Sequence, residues 1–122
     1  MQIRLKRAYE EPGNQDGCRV LVDRLWPRGV GKEEAKIDLW LKEIAPTAGL
    51  RKWFGHDPAK WEEFRKRYFA ELEEHPESVE ELRRKAGNGR VTLVFGARDE
   101  EHNNAAALKE YLEKRGRRAS GS

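Results

Sequence analysis

The residues best suited to chemistry in this chain gather where two apolar runs end. The run "CRVLVD" leads into "DRLWPRG", which places Asp23, Arg24, Trp26, Pro27, Arg28 and Gly29 close together. The run "VTLVFGA" leads into "RDEEHN", which places Arg98, Asp99, His102 and Asn103. Guanidinium groups grip phosphate or carboxylate through paired hydrogen bonds, so arginines from both exits suit an anionic ligand. An indole adds a flat stacking face, and a carboxylate or imidazole beside the ligand is a natural acid–base group. The expected site therefore has Arg24, Arg28, Arg51 and Arg98 holding an anion, with Trp26 and Trp40 as walls. Asp23, His56 and His102 are the catalytic candidates. Asp99 and Asn103 stand at the start of the final helix, where free backbone N–H groups favour anions.

Each of these residues also has an ordinary structural role. Asp23 and Arg24 can pair with each other, Asp99 fits an N-cap of the last helix, and Trp26 before Pro27 can close a rigid turn. His102 can be a solvated helix-start residue, and His56 after Gly55 a junction residue. No two of His56, His102, Asp23 and Asp99 have the local spacing of metal ligands on one helix, so no metal site is expected. Cys18 opens a strand and Ser78 lies in a helical segment, which argues against a serine or cysteine nucleophile. No glycine-rich phosphate loop is present in the sequence, which points to no particular cofactor.

These groups need elements to position them. "QIRLKR" alternates apolar and polar residues, as an edge or half-buried strand does. The Val20-Leu21-Val22 run and "VTLVFGA" read as strands covered on both faces. Between them, Thr47 and Gly55 bracket a short helix. Asp57 and Pro58 open a longer one with Trp61, Phe64, Tyr68 and Leu72 on one stripe. "PESVEELRRKAGNG" forms another, stopped at Gly87, and the last buries Ala105, Leu108 and Leu112. "KIDLWLKEI" reads either as a short strand or as an extended segment. Strands interleaved with helices predict an α/β fold: a small three-layer domain with a largely parallel sheet and helices packed on it. In such sheets ligands bind beyond the carboxyl ends of the strands, where both chemical segments lie. Residues 1–116 form the single domain in this reading, and 117–122 a disordered tail.

The bulk numbers narrow the class. The chain has 122 residues, enough for one domain with a sizeable core. Charged residues make up 39%, yet Lys plus Arg total 25 against 22 acids, a net charge of +3. Dense charge of both signs suits a well-solvated surface more than a polyanion binder, so nucleic acid is expected to bind weakly and without sequence preference. One cysteine excludes an intrachain disulfide. No signal-like or membrane-length apolar run occurs, and a soluble cytoplasmic protein, monomer or homodimer, is the expectation.

"RVLVDRLWPRG", "LWLKEIAPTAGLRKWFGHD" and "TLVFGARDEEHNNAAAL" together resemble the YeaO-like family of small bacterial and archaeal proteins, domain-of-unknown-function family 488. The resemblance covers Arg7 to about Leu112 and implies an α/β domain acting alone, with no activity attached. Some members carry a transcriptional-regulator label, but neither a helix-turn-helix pattern nor a basic recognition helix is found here. Three functions follow from the residues: a binder of, or enzyme on, a small anionic, phosphate- or nucleotide-like ligand; a nucleic-acid-binding module; or an interaction protein without catalysis.

Overall fold

The computed structural model describes residues 2–121, with side chains through Lys114; the tail expected at 117–122 lies outside the fully described part. Four strands form one sheet: β1 (Gln2–Arg7), β2 (Cys18–Leu21), β3 (Leu39–Trp40) and β4 (Arg90–Phe95). Their order is β1-β4-β2-β3 and every neighbouring pair is parallel. The two apolar runs are thus the central strands, and "QIRLKR" is an edge strand as its alternation predicts. "KIDLWLKEI" resolves as the short β3 on the other edge, followed by a 3-10 turn at Lys42–Ile44.

The helices are α1 (Lys32–Ala35), α2 (Ala48–Phe54), α3 (Trp61–Leu72), α4 (Pro76–Asn88) and α5 (Asn104–Gly121). Thr47 caps α2 by accepting from the Leu50 N–H at 3.2 Å, while Glu71 of α3 binds both the Thr47 N–H and hydroxyl. Asp57 caps a 3-10 turn at Pro58–Lys60 that leads into α3, so this helix enters more tightly than expected. Helix α4 runs through Gly87 and stops at Gly89, one turn position later than the composition suggests. Helix propensity is a weak force at a helix end, and the strand start at Arg90 decides where the turn falls.

Strand alternation divides the core. Ile3, Val20, Val22, Val91, Leu93 and Phe95 face the layer built by α2–α5, with α4 and α5 resting on β1 and β4. The other face carries Leu21 and Val94, covered by Trp26, Val30, Ile37 and Trp40. That third layer is thin: one short helix, the β1–β2 loop and the Trp26–Val30 segment. Its amino-terminal half is polar, where buried Asp16 binds Arg19 at 2.7 Å and Lys6 at 3.1 Å. A Cβ at Gly17, which has φ +66°, would collide with the Arg90 carbonyl, so this loop can close on the sheet only with glycine there.

Tyr68 ties the helical layer to the segment after β3. It is fully buried, and its hydroxyl donates to the Ile44 carbonyl at 2.6 Å. Burial, reinforced by Glu71 and Asp23, holds the phenol far above its ordinary range, so it stays protonated and able to donate. Tyr68→Phe should cost about 1–2 kcal/mol, because it strands a buried carbonyl while keeping the ring. A urea midpoint indistinguishable from wild type would show that water reaches Ile44.

Candidate functional site

A cleft of about 310 Å³ opens at the carboxyl ends of β2 and β4. Four segments build it. Strand β2 continues past its last paired residue, since the Val22 N–H donates to Val94 O at 3.1 Å, and delivers Asp23 and Arg24 to the rim. Strand β4 delivers Gly96 and Ala97, the loop after β3 adds Ala45 and Pro46, and α5 begins there with Asn103 and Asn104. Helices α2 and α3 close the side with Arg51, Phe54 and Phe64, and His56 follows α2.

Asp23 is the centre of the polar floor. One carboxylate oxygen accepts from the Gly96 N–H at 2.8 Å, the other from Asn104 Nδ2 at 3.1 Å. Asn104 also donates to the Val22 carbonyl at 3.0 Å, so one amide pins both the strand end and its carboxylate. Burial pushes the Asp23 carboxyl above its ordinary range, against the opposing pull of Asn104, Gly96 and the Arg51 charge. A side chain at position 96 would press on Asp23: a Cβ there would sit 3.2 Å from its Oδ2. Glycine therefore lets the carboxylate reach the strand's last N–H.

The cationic side is less tightly held. Arg24 reaches the Pro46 and Ala45 carbonyls at 3.4 Å each, longer than well-formed hydrogen bonds. Arg51 is exposed, and its guanidinium makes no hydrogen bond or ion pair among the described residues. His56 has φ 57° directly after Gly55 at φ 53°, and these two left-handed residues turn the chain sharply at the end of α2. The turn brings the imidazole to the cleft, tilted 6.4 Å from the Phe54 ring. Left-handed backbone in a residue other than glycine is uncommon, and here it places a polar ring at the cleft.

Of the residues expected from sequence, Asp23, Arg24, Arg51, His56 and Asn103 meet at this cleft, and the others do not line it. Trp26 donates to the Val30 carbonyl at 2.6 Å and packs edge-on to Trp40, whose own N–H donates to the Asp23 carbonyl at 2.7 Å. Both indoles cover the opposite sheet face, Trp26 from the loop after β2 and Trp40 from β3 itself, over Leu21 and Val94. Arg28 and Arg98 are exposed away from the cleft lining, which removes the expected pairing of Arg98 with Arg24. Asp99 does not cap the last helix. It accepts from the Glu101 and His102 N–H groups in a preceding turn, while Asn103 caps by accepting from the Ala106 N–H at 2.8 Å. The His102 and Glu101 N–H groups and the His102 ring hold Asp99 below its ordinary range. His102 itself is engaged twice, with Asp99 at 3.0 Å and edge-on to Trp61.

Asn104, Phe64 and Gly96 were missed as site residues. The doubled asparagine before the apolar run "AAAL" was the available signal for Asn104, because a second amide beyond the cap is free to bind elsewhere. Among the described residues, no cluster of three or more His, Cys, Asp or Glu could hold a metal ion, and no helix is long and apolar enough to cross a membrane.

Fold and cleft together define a small parallel α/β domain with an arginine-flanked cleft at its strand ends. A family model described as "Inactive DUF488-N3 subclade" matches residues 2–121, and the chain belongs to this YeaO-like DUF488 family. It is 39% identical over 112 residues to the uncharacterised protein YeaO of Escherichia coli K12, covering 92% of this chain and 97% of that one. It is also 39% identical over 111 residues to the uncharacterised protein Rv3073c of Mycobacterium tuberculosis H37Rv, covering 91% of this chain and 93% of that one. No solved structure matches.

Proposed function

We propose that this protein binds a small anionic molecule, bearing phosphate or carboxylate, in the cleft at the ends of β2 and β4, and does not transform it. The observation that carries this reading is the convergence of Arg24, Arg51 and His56 on one cleft, with the Arg51 guanidinium uncommitted. A volume of about 310 Å³ is at the small end of ligand sites, which favours a compact ligand over a polymer. With Trp26 and Trp40 on the other face, a nucleotide would find no indole to stack on. Binding without turnover agrees with the family's "inactive" description and with the state of the acid–base candidates. Asp23 is held by two donors and His102 is paired outside the cleft lining, which leaves His56 as a hydrogen-bonding partner for the ligand. A cytoplasmic setting suits this role, since the lone Cys18 needs no oxidising compartment.

Titration with inorganic phosphate, followed by backbone amide chemical shifts, tests the reading. Shifts should concentrate at residues 23–24, 51–56, 96–97 and 103–104. Arg51→Ala should weaken binding about tenfold to a hundredfold, the worth of one charge-assisted hydrogen bond, with an unchanged melting temperature because the side chain is exposed. Shifts centred instead on Arg28 and Arg98, or none at saturating phosphate, would remove the proposal. Tight binding to one defined DNA or RNA at physiological salt would replace it with the nucleic-acid reading.

A further inference from the structure

We infer that Asp23 makes the cleft a proton-coupled anion site, in which an anion seated on Arg24 and Arg51 binds together with a proton taken up by the Asp23 carboxyl. This rests on the anion-binding reading above and adds the protonation state of its floor. A cleft built to hold an anion with two arginines has a carboxylate in its lining. That carboxylate is the nearest negative charge a bound anion would meet, in a partly water-excluded site where like charges repel strongly. Its anchors do not require the charge. The Gly96 N–H and Asn104 Nδ2 each approach a different oxygen, and a neutral carboxyl can keep both contacts while turning its proton toward the cleft.

The groups that face Asp23 from each packed element support the same conclusion. From α2 comes Arg51, among the described residues the one charge that favours ionisation of Asp23, and it is the group an incoming anion would engage. From α3 comes Tyr68, which stays a neutral phenol committed to Ile44. From β4 and α5 come only the neutral Gly96 and Asn104, and from β3 the Trp40 N–H, which takes the Asp23 backbone carbonyl. Arg24 turns toward Pro46 and Ala45, Arg7 is spent on the Ala97 carbonyl at 2.9 Å, and His56 lines the same cleft. When the ligand takes Arg51, the ionised Asp23 loses its main counter-charge and gains a repelling neighbour. Burial already biases this carboxyl toward its neutral form, so the anion completes the shift. The proton needed comes from solvent through the open cleft.

Linkage sets the outcome. Within the window between the free and the ligand-bound titration points of Asp23, affinity should fall about tenfold per pH unit as pH rises, for one proton taken up. Sulfate is the probe, because its own charge does not change across that window. Calorimetric titration with sulfate in buffers of differing ionisation enthalpy counts the protons directly. Uptake should appear in the wild type and in His56→Gln, and vanish in Asp23→Asn. A side-chain carboxyl NMR titration of the wild type, with and without sulfate, gives the same answer without any variant: the Asp23 midpoint should move up with sulfate. Sulfate binding with no proton uptake, an unmoved Asp23 midpoint, or uptake that persists in a folded Asp23→Asn variant would overturn the coupling and leave the anion site standing. No sulfate binding at any pH would overturn both.

Discussion

Asp16→Asn should destabilise the domain by about 3–5 kcal/mol, a large share of the roughly 5–15 kcal/mol available to a domain of this size. Asp16 and Arg19 are each only 4% exposed at the side chain and meet at 2.7 Å on the sheet face away from the cleft. The carboxylate also takes Lys6 at 3.1 Å and the Gly13 N–H at 3.0 Å, so it organises the loop that crosses from β1 to β2. An amide of the same shape removes the charge that both cations share. The Arg19 guanidinium then keeps its bond to the Ala35 carbonyl at 2.9 Å and meets at best a neutral amide oxygen in place of the carboxylate, with one further nitrogen buried and unpartnered. Breaking one side of a buried pair costs far more than replacing both, so the double change Asp16→Leu with Arg19→Met should be milder than the single one. Urea unfolding of the three variants measures this. A loss below about 1 kcal/mol for Asp16→Asn would mean that the cluster is solvated in solution.

The same carboxyl carries a pH signature. Burial pushes it up, but the Gly13 N–H and the Lys6 and Arg19 side chains outweigh that and hold it below its ordinary 3.8. A depressed folded value stabilises the fold above the unfolded value, and the contribution is lost as pH falls through the folded one. The wild type should therefore keep this stability at neutral pH and lose it in the acid range. The Asn variant should lack that part of the acid loss.

Phe64→Ala should cost about 3–5 kcal/mol and enlarge the cleft at the same time. The ring is 2% exposed and lies between Phe54 at 4.4 Å, Trp61 at 5.7 Å and Tyr68 at 5.7 Å between centroids. Truncation removes the centre of this aromatic row, which α2 and α3 share, and leaves a void beside Arg51 and His56. Chemical denaturation reads the stability, and phosphate titration of the folded fraction reads the site. Weaker binding would show that the row braces the arginine side of the cleft. A melting curve unchanged from wild type would show that the row is not part of the cooperative core.

Much of the fold follows from local sequence. Val20-Leu21-Val22 and, apart from Thr92, Val91–Phe95 are apolar without alternation because both faces of a central parallel strand are covered, and "QIRLKR" alternates because one face of an edge strand meets the helices. Thr47, Asp57 and Pro58 act within three residues of themselves, so their capping roles are legible from spacing alone. The end of the sheet at which the cleft opens is equally legible, since parallel strands put their following loops on one end of the sheet. Which side chains reach that end is decided elsewhere. Trp26 and Arg28 sit within five residues of Asp23, yet neither lines the cleft: Trp26 packs over Leu21 and Val94, where its apolar surface is buried, and Arg28 stays exposed. Arg51 and Asn104 are remote in sequence and become neighbours of Asp23 only when α2 and α5 dock against the sheet. Asp16 and Arg19 read as ordinary loop and strand charges. They form a buried pair because the β1–β2 crossing passes over β4, an arrangement set by strand order and invisible to any local pattern. Residue types and periodicity determine the elements and the end of the sheet at which the cleft lies. The long-range packing of those elements decides which charges meet there and which are sealed inside.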